Sequence, residues 1–210
     1  MERALVATTA SAETSFLSTA ELRLAAGLAS GDSSQDTLLT LLGKAITSAI
    51  AQECGIVAAD GSVATLFSEV LEETLWVEQC EAELILSRMF VSAVASVTVD
   101  GTALATTDYQ VKKRAGILLR KNSTAIVTWA PSVVVVAYTA GFSTIPDDLK
   151  LAAMKAVGDA FTANGRDGNL RRVRVDGIGE REWRVDPDKD ALLSLEAKSL
   201  LGPYLSPRVW

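Results

Sequence analysis

Val133-Val134-Val135-Val136-Ala137-Tyr138-Thr139-Ala140-Gly141-Phe142, followed by Ile145-Pro146-Asp147-Asp148-Leu149, is the stretch that frames the chain. Its valine run is apolar on both faces and predicts a central or fully covered strand. Gly141 offers a turn and Pro146 a helix start. Beyond it Leu149, Ala152, Ala153, Ala156, Val157, Ala160 and Phe161 recur at helical spacing until Asn164-Gly165. That apolar stripe predicts a helix whose alanines allow close approach of another, most simply one at residues 36–53. None of these residues carries catalytic chemistry.

Working outward toward the start, Ser18-Thr19-Ala20-Glu21 reads as a capping box opening a short helix through Leu22, Leu24, Ala25 and Leu28. The Gly31-Asp32-Ser33-Ser34 cluster is a loop that leads into a second helix. There Leu38, Leu41, Leu42, Ala45, Ile46, Ala49 and Ile50 share one face, and Cys54-Gly55 ends it. Residues 1–17 are small and polar without a period, which predicts a flexible N-terminal arm. The N-terminal helices are placed at 18–62.

Between 63 and 140 the period shifts toward two, an antiparallel β subdomain. Leu66, Ser68, Val70 and Glu72 form one alternating set, and Glu83-Leu84-Ile85-Leu86 suggests a second strand. Val94 to Val99 alternates into Asp100-Gly101, a hairpin turn pair. Tyr109-Gln110-Val111, Ile117-Leu118-Leu119 and Ala125 to Trp129 are expected to complete a meander, with turns at Gly116 and Asn122-Ser123. No helix separates these strands, so parallel pairing is not expected.

After the long helix at 141–165, expected to pack on the N-terminal helices, residues 166–185 read as an Arg-rich hairpin or flap. Residues 186–210 read as a short helix and a docking arm ending in Tyr204, Leu205 and, after two prolines, Trp210. The fold class is α+β: a helical bundle with an inserted antiparallel β subdomain and an extended C-terminal arm.

Composition narrows the function. Of 210 residues 49% are hydrophobic but only 6% aromatic, so the core must come largely from Ala, Val and Leu. The excess of 26 acidic over 20 basic side chains, net −6, argues against a general polyanion binder. Histidine is absent. That removes the commonest general base and metal ligand and favours assembly over catalysis. Cys54 and Cys80 lie too far apart for a CxxC pair; two free buried thiols in a reducing cytosol are expected, a single disulfide being the alternative. No run approaches the ~20 apolar residues of a membrane span. The first ten residues break into Thr and Ser before a secretory core forms. The expectation is a soluble protein made inside a cell, with no membrane partner.

The motifs that could carry chemistry fall short. Gly177-Ile178-Gly179 is followed by Glu182 where a dinucleotide fingerprint has its third glycine, and no helical pattern follows. Asp186, Asp188 and Asp190 have calcium-loop spacing, but Ala191 and Ala197 stand where that loop needs Gly and Glu. Glu69, Glu72, Glu73, Glu78, Glu81 and Glu83 could pair as acid and base, yet nothing defines their separation. No catalytic, cofactor-binding or metal-binding residue is assigned, and no cofactor is expected. Arg171, Arg172, Arg174 and Arg181 suit an electronegative protein neighbour or a phosphate backbone, or else pair internally with Asp176, Glu180 and Glu182. Lys112, Lys113, Arg114, Arg120 and Lys121 are explained by protection of strand edges. Burying an aromatic ring is worth ~2–3 kcal/mol, so Trp210 with Tyr204 and Leu205 reads as an anchor for another chain.

The order of these parts resembles the head-tail connector (head completion, portal adaptor) proteins of tailed phages and gene transfer agents. The residues that carry the likeness are Val97-Thr98-Val99-Asp100-Gly101, Asp108-Tyr109-Gln110-Val111, the Tyr138-Thr139-Ala140-Gly141-Phe142 to Ile145-Pro146-Asp147-Asp148-Leu149-Lys150 run, Ile178-Gly179-Glu180 and Leu200-Leu201-Gly202-Pro203-Tyr204. It covers most of residues 35–210. The resemblance implies a homo-oligomeric ring, usually of twelve copies, docked beneath the portal protein at the head-tail interface of the virion. Such a ring continues the DNA channel toward a tail-side connector or stopper protein, and DNA passes without sequence-specific binding. Assembly is expected in the host cytoplasm. On this reading Arg171, Arg172, Arg174, Arg181, Tyr204, Leu205 and Trp210 lie at a portal or subunit interface, and the chain is not an enzyme. The alternatives are a tail-terminator or other tail ring protein, a hydrolase whose deep pocket converges on glutamates 69–83, and a nucleic-acid-binding module.

Overall fold

The computed structural model describes residues 2–60, 63–164, 172–175, 179–182 and 192–205. In chain order its elements are β1 (Glu2–Thr9), α1 (Thr19–Ala25), α2 (Asp36–Glu53), β2 (Glu69–Val77), β3 (Leu84–Ile85), β4 (Val91–Val99), β5 (Thr102–Ala103), β6 (Tyr109–Lys112), β7 (Ile117–Asn122), β8 (Ala125–Val127), β9 (Ser132–Ala140), α3 (Asp147–Asn164), β10 (Arg172–Val175), β11 (Gly179–Glu182) and α4 (Leu195–Leu201), then a 3-10 turn at Gly202–Tyr204. This is the expected α+β class. The chain forms two compact units. A β unit combines the chain up to Glu13 with Ala51–Ile145, and a helical unit combines Thr14–Ile50 with Pro146–Tyr204. No helix among the described residues is long and apolar enough to cross a membrane.

In the β unit the valine run becomes β9, the middle strand of a five-stranded antiparallel sheet ordered β1-β2-β9-β4-β5. Val134, Val136, Tyr138 and Ala140 point into the core, while Val133, Val135, Ala137 and Thr139 take the other side and stay partly or largely exposed. One face of the run is therefore covered, not both. The remaining strands do not extend this sheet into one meander, as the spacing suggested. β6 pairs with one edge of β7, and β3 and β8 also pair with β7, giving a second, four-stranded sheet. Leu71, Leu75, Val97, Val134 and Val136 from the first sheet and Leu84 and Leu118 from the second share one core with Trp129.

Two turns hold this arrangement by backbone geometry. Asp100 (φ 48°) and Gly101 (φ 79°) are both left-handed, the pair that a two-residue hairpin between β4 and β5 demands. Gly141 has φ 98°, and a Cβ there would lie 2.3 Å from the Phe67 carbonyl oxygen. Only glycine lets the chain leave β9 so close to residues 66–68, where Phe142 donates to Leu66 and accepts from Ser68.

Two expectations for the β unit are corrected, and one facing left open is decided. Residues 1–17 are not an arm without structure: β1 pairs antiparallel with β2 along its length. Only Leu5 of β1 is buried, so no period was there to read. In β2, whose facing the alternation left open, the buried set is Glu69, Leu71, Glu73, Leu75 and Val77, and Val70 and Glu72 face outward. Of the free thiols Cys54 is buried but Cys80 is exposed.

In the helical unit, Ser18 caps α1 and Glu21 reaches back to the Ser18 backbone N–H, as the capping box requires. Those Ser18 donors, with Lys150 Nζ at 3.1 Å, hold the Glu21 carboxyl below its usual range. Phe16 and Leu17, also inside the expected arm, are buried, and Phe16 N donates to Thr47 Oγ1 of α2. Gly43 of α2 brings Leu22 of α1 close: an added Cβ would stand 3.0 Å from its side chain. α3 does carry the alanine stripe, but its nearest helical neighbours are α1 and α4 instead of α2. At Gly158 a Cβ would lie 2.8 Å from the Ala25 carbonyl, the tightest sign of this approach.

Candidate assembly interface

The carboxylates of residues 69–83 do not converge on an open site. Glu69 and Glu73 are buried on β2 and are consumed by structure. Glu73 accepts from the Ser87 backbone N–H at 2.8 Å, the Ser87 hydroxyl at 2.6 Å and the Tyr138 hydroxyl at 2.7 Å. Arg88 donates to Glu69 at 2.8 Å and to the Thr65 carbonyl at 2.8 Å. Burial, more than any neighbour, pulls the Arg88 guanidinium below its usual range. Burial also pushes the Tyr138 phenol well up, with the Glu73 charge adding to it. A group so held stays neutral and donates its hydrogen bond. The network locks β2 to β9 and to residues 87–88; it presents no acid–base pair to solvent.

A cavity of about 510 Å³ opens near the β7–β8 end of the second sheet, lined by Asp100, Asp108, Arg120, Lys121, Trp129 and Pro131 among others. None of the glutamates at 69–83 lines it, so the pocket a carboxylate hydrolase requires is not this one. Among the described residues no cluster of metal-ligating side chains occurs. Asp186, Asp188 and Asp190 lie outside the described residues, as do Gly177 and Ile178. Gly179 begins a strand, not the helix a dinucleotide site needs.

Of the basic groups, Lys112 pairs with Glu83 at 2.7 Å and Lys113 Nζ donates to the Ser92 carbonyl. The Arg120 guanidinium stacks 5.5 Å above the Trp129 ring. The arginines expected at an interface are partly placed. Arg171 lies outside the described residues, Arg172 and Arg174 are on β10, and Arg181 is on β11. The two strands pair antiparallel, with Arg172 opposite Glu182 and Arg174 opposite Glu180 in backbone register.

The described part of the C-terminal segment folds onto its own unit. α4 packs on α3, with Lys155 to Glu196 at 2.7 Å. The Tyr204 hydroxyl donates to both Asp148 oxygens, at 2.7 and 2.8 Å. Leu205 is 46% exposed. Trp210 lies outside the described residues.

Sequence reasoning missed a surface. Directly opposite residues on antiparallel strands share a face. Register therefore aligns Val6 with Glu72 and Ala137, Ala4 with Thr74 and Val135, and Trp76 with Val133, all on the outward side of the five-stranded sheet. Val6, Val70, Trp76 and Val133 are each more than a third exposed there. The signal was the Leu71-Leu75-Val77 alternation, which turns Val70 and Trp76 outward once taken in the right phase.

The comparisons with known proteins bear on this geometry. The family model described as head completion protein matches residues 15–158, which is more than half of the chain. A chain in the virion of a native gene transfer agent (GTA) particle is similar in structure, with TM-score 0.59 at 18% identity, covering 98% of this chain and 97% of that one. A chain from the neck of an empty GTA particle computed with C6 symmetry gives 0.58 at 21%, and one from a native neck computed with C12 symmetry gives 0.57 at 19%, with the same coverage. At such identities the likeness is one of fold. No curated protein matches the chain.

Proposed function

The chain belongs to the head completion protein family, and on that premise we propose that it is a ring-forming adaptor at a head-tail interface. Twelve copies would sit beneath the portal of a phage-like particle and carry the DNA channel toward a tail-side connector or stopper. The observation that carries this reading is the family match, which runs from the capped α1 through β2–β9 and most of α3. The likeness in fold to chains of GTA necks supports the ring, since one of those necks is computed with twelvefold symmetry.

Physical features agree with this reading. A ring subunit needs two different surfaces that fit each other, not a reactive pocket. Its net charge of −6 suits a channel that lets DNA slide without gripping it. The buried carboxylates hold strands together, which favours a structural role over a hydrolytic one. Arg171, Arg172, Arg174 and Arg181 belong at a subunit or portal interface on this reading, and Leu205 with Trp210 would form the tip of the arm. Tyr204 would fix the root of that arm through Asp148. The particle assembles in the host cytoplasm.

Electron microscopy of the purified protein mixed with its portal tests the proposal. Closed twelvefold rings seated on the portal are expected; a monomer without portal affinity would overturn it. Truncation after Leu201 should cut portal co-sedimentation, and undiminished binding would remove the docking arm.

A further inference from the structure

Helix α2 carries apolar residues on two sides. Leu39, Ile46 and Ile50 are buried. Leu38, Leu41, Leu42, Ala45 and Ala49, spaced i, i+3, i+4, i+7 and i+11, form a second stripe that stays half-buried or exposed. Leu41, at 65% exposure, is the barest of its leucines. All five residues lie in the helical unit, and α3, the helix expected against them, packs on α1 and α4 instead. Lys44 borders the stripe beside Leu41 and Ala45 and is the sole cation of α2. It is exposed and makes no ion pair among the described residues.

The outward face of the five-stranded sheet, in the β unit, is the complement of that stripe. Val6, Val70, Trp76 and Val133 are exposed on it. Between them Ala4, Thr74, Val135 and Ala137 are short side chains that leave a bed on which a helix can lie. The charged side chains that β1 and β2 turn to this face are Glu2 and Glu72, both acidic and exposed. Glu72 sits between Val6 on β1 and Ala137 on β9 and makes no ion pair among the described residues. An apolar surface laid over it would strand this carboxylate unless a cation came with the surface.

We propose that this sheet face receives helix α2 of the next copy, the leucine and alanine stripe covering the apolar patch and Lys44 meeting Glu72. The proposal rests on the ring reading and supplies what that reading lacks, the identity of the two fitting surfaces. Each surface has an unpaired charge of the sign the other needs, and pairing them spares both from being buried alone. Helix stripe and sheet face are different surfaces, so the contact is heterologous. Repeated from copy to copy it closes a ring when the rotation allows, whereas a face meeting its own kind stops at a dimer.

Charge reversal provides the test, read by sedimentation with the purified portal present. Glu72→Lys should raise the concentration at which rings half-form about tenfold, and adding Lys44→Glu should restore it. Circular dichroism guards against misfolding; both residues are exposed, so the fold is expected to survive. In a second measurement, light and isotope-labelled wild-type copies are mixed before assembly and coupled with a carbodiimide. The Lys44 amine and the Glu72 carboxyl then form an amide, and the carbodiimide takes up the water released. Mass spectrometry should find that bond linking a light copy to a heavy one. Rings indifferent to Glu72→Lys, absent rescue, or couplings confined to single copies would overturn this contact and leave the ring standing. Intact Glu72→Lys rings that no longer bind portal would overturn it too and give the sheet face to the portal. A wild-type chain that stays monomeric at every concentration would overturn both contact and ring.

Discussion

In the β unit the charged groups Glu69, Glu73 and Arg88 lie in the interior, whereas the helical unit keeps its ion pairs Arg23–Asp36, Lys150–Glu21 and Lys155–Glu196 at or near the surface. The two interiors are consequently sensitive to opposite kinds of change. A buried polar network fails when a partner is removed, because the remaining charge loses both water and its hydrogen bonds. An interior built from Ala and Gly at close helix contacts fails when something is added.

The largest expected effect follows from removing a partner in the β unit. Arg88→Ala strands the Glu69 carboxylate, which is 4% exposed, and should cost about 3–5 kcal/mol in urea unfolding. Replacing both residues with leucine should recover most of that loss. A single replacement costing under 1 kcal/mol would mean that the ion pair does not hold the unit together. Next comes the addition to the helical unit. Gly158→Ala places a methyl against the Ala25 backbone carbonyl, and backbone cannot swing aside as a side chain can. A loss of about 1–3 kcal/mol is expected, and melting unchanged within error would break the contrast.

The same contrast explains what could be read from the residues alone. The capping box at Ser18 and Glu21, the Asp100-Gly101 turn and the stripe from Leu149 to Phe161 are local signals, complete within a few residues, and each appears in the structure. The valine run located the central strand because no polar residue interrupts it. β1 was not legible, since an edge strand with one buried side chain takes its pairing from β2. Nor was the Glu73–Ser87–Tyr138 cluster, whose members come from β2, β9 and the segment between β3 and β4. A glutamate in a strand reads as solvent-facing until the partner that satisfies it is known. The outward apolar face stayed hidden for the same reason, because glutamates interrupt the alternation of β2 and left its facing open.

The smallest effect separates the two cysteines by pH. Burial, followed by the Glu53 charge, pushes the Cys54 thiol up to about 12 from an ordinary value of 9.0. In the unfolded chain that thiol ionises near its ordinary value, so above pH 9 the unfolded state sheds a proton that the folded state retains. Stability from this group is complete below pH 9, declines as pH rises from 9 toward 12, and changes little beyond. Between pH 9 and 10 the loss should be about 1 kcal/mol, and Cys54→Ala should remove it from the difference between the two unfolding curves. Cys80 is exposed and should react with an alkylating reagent at pH 8 in the folded protein, while Cys54 should react only after denaturant is added. Equal labelling of both thiols under native conditions would place Cys54 outside the interior, and with it the closing residues after α2 that complete the β unit.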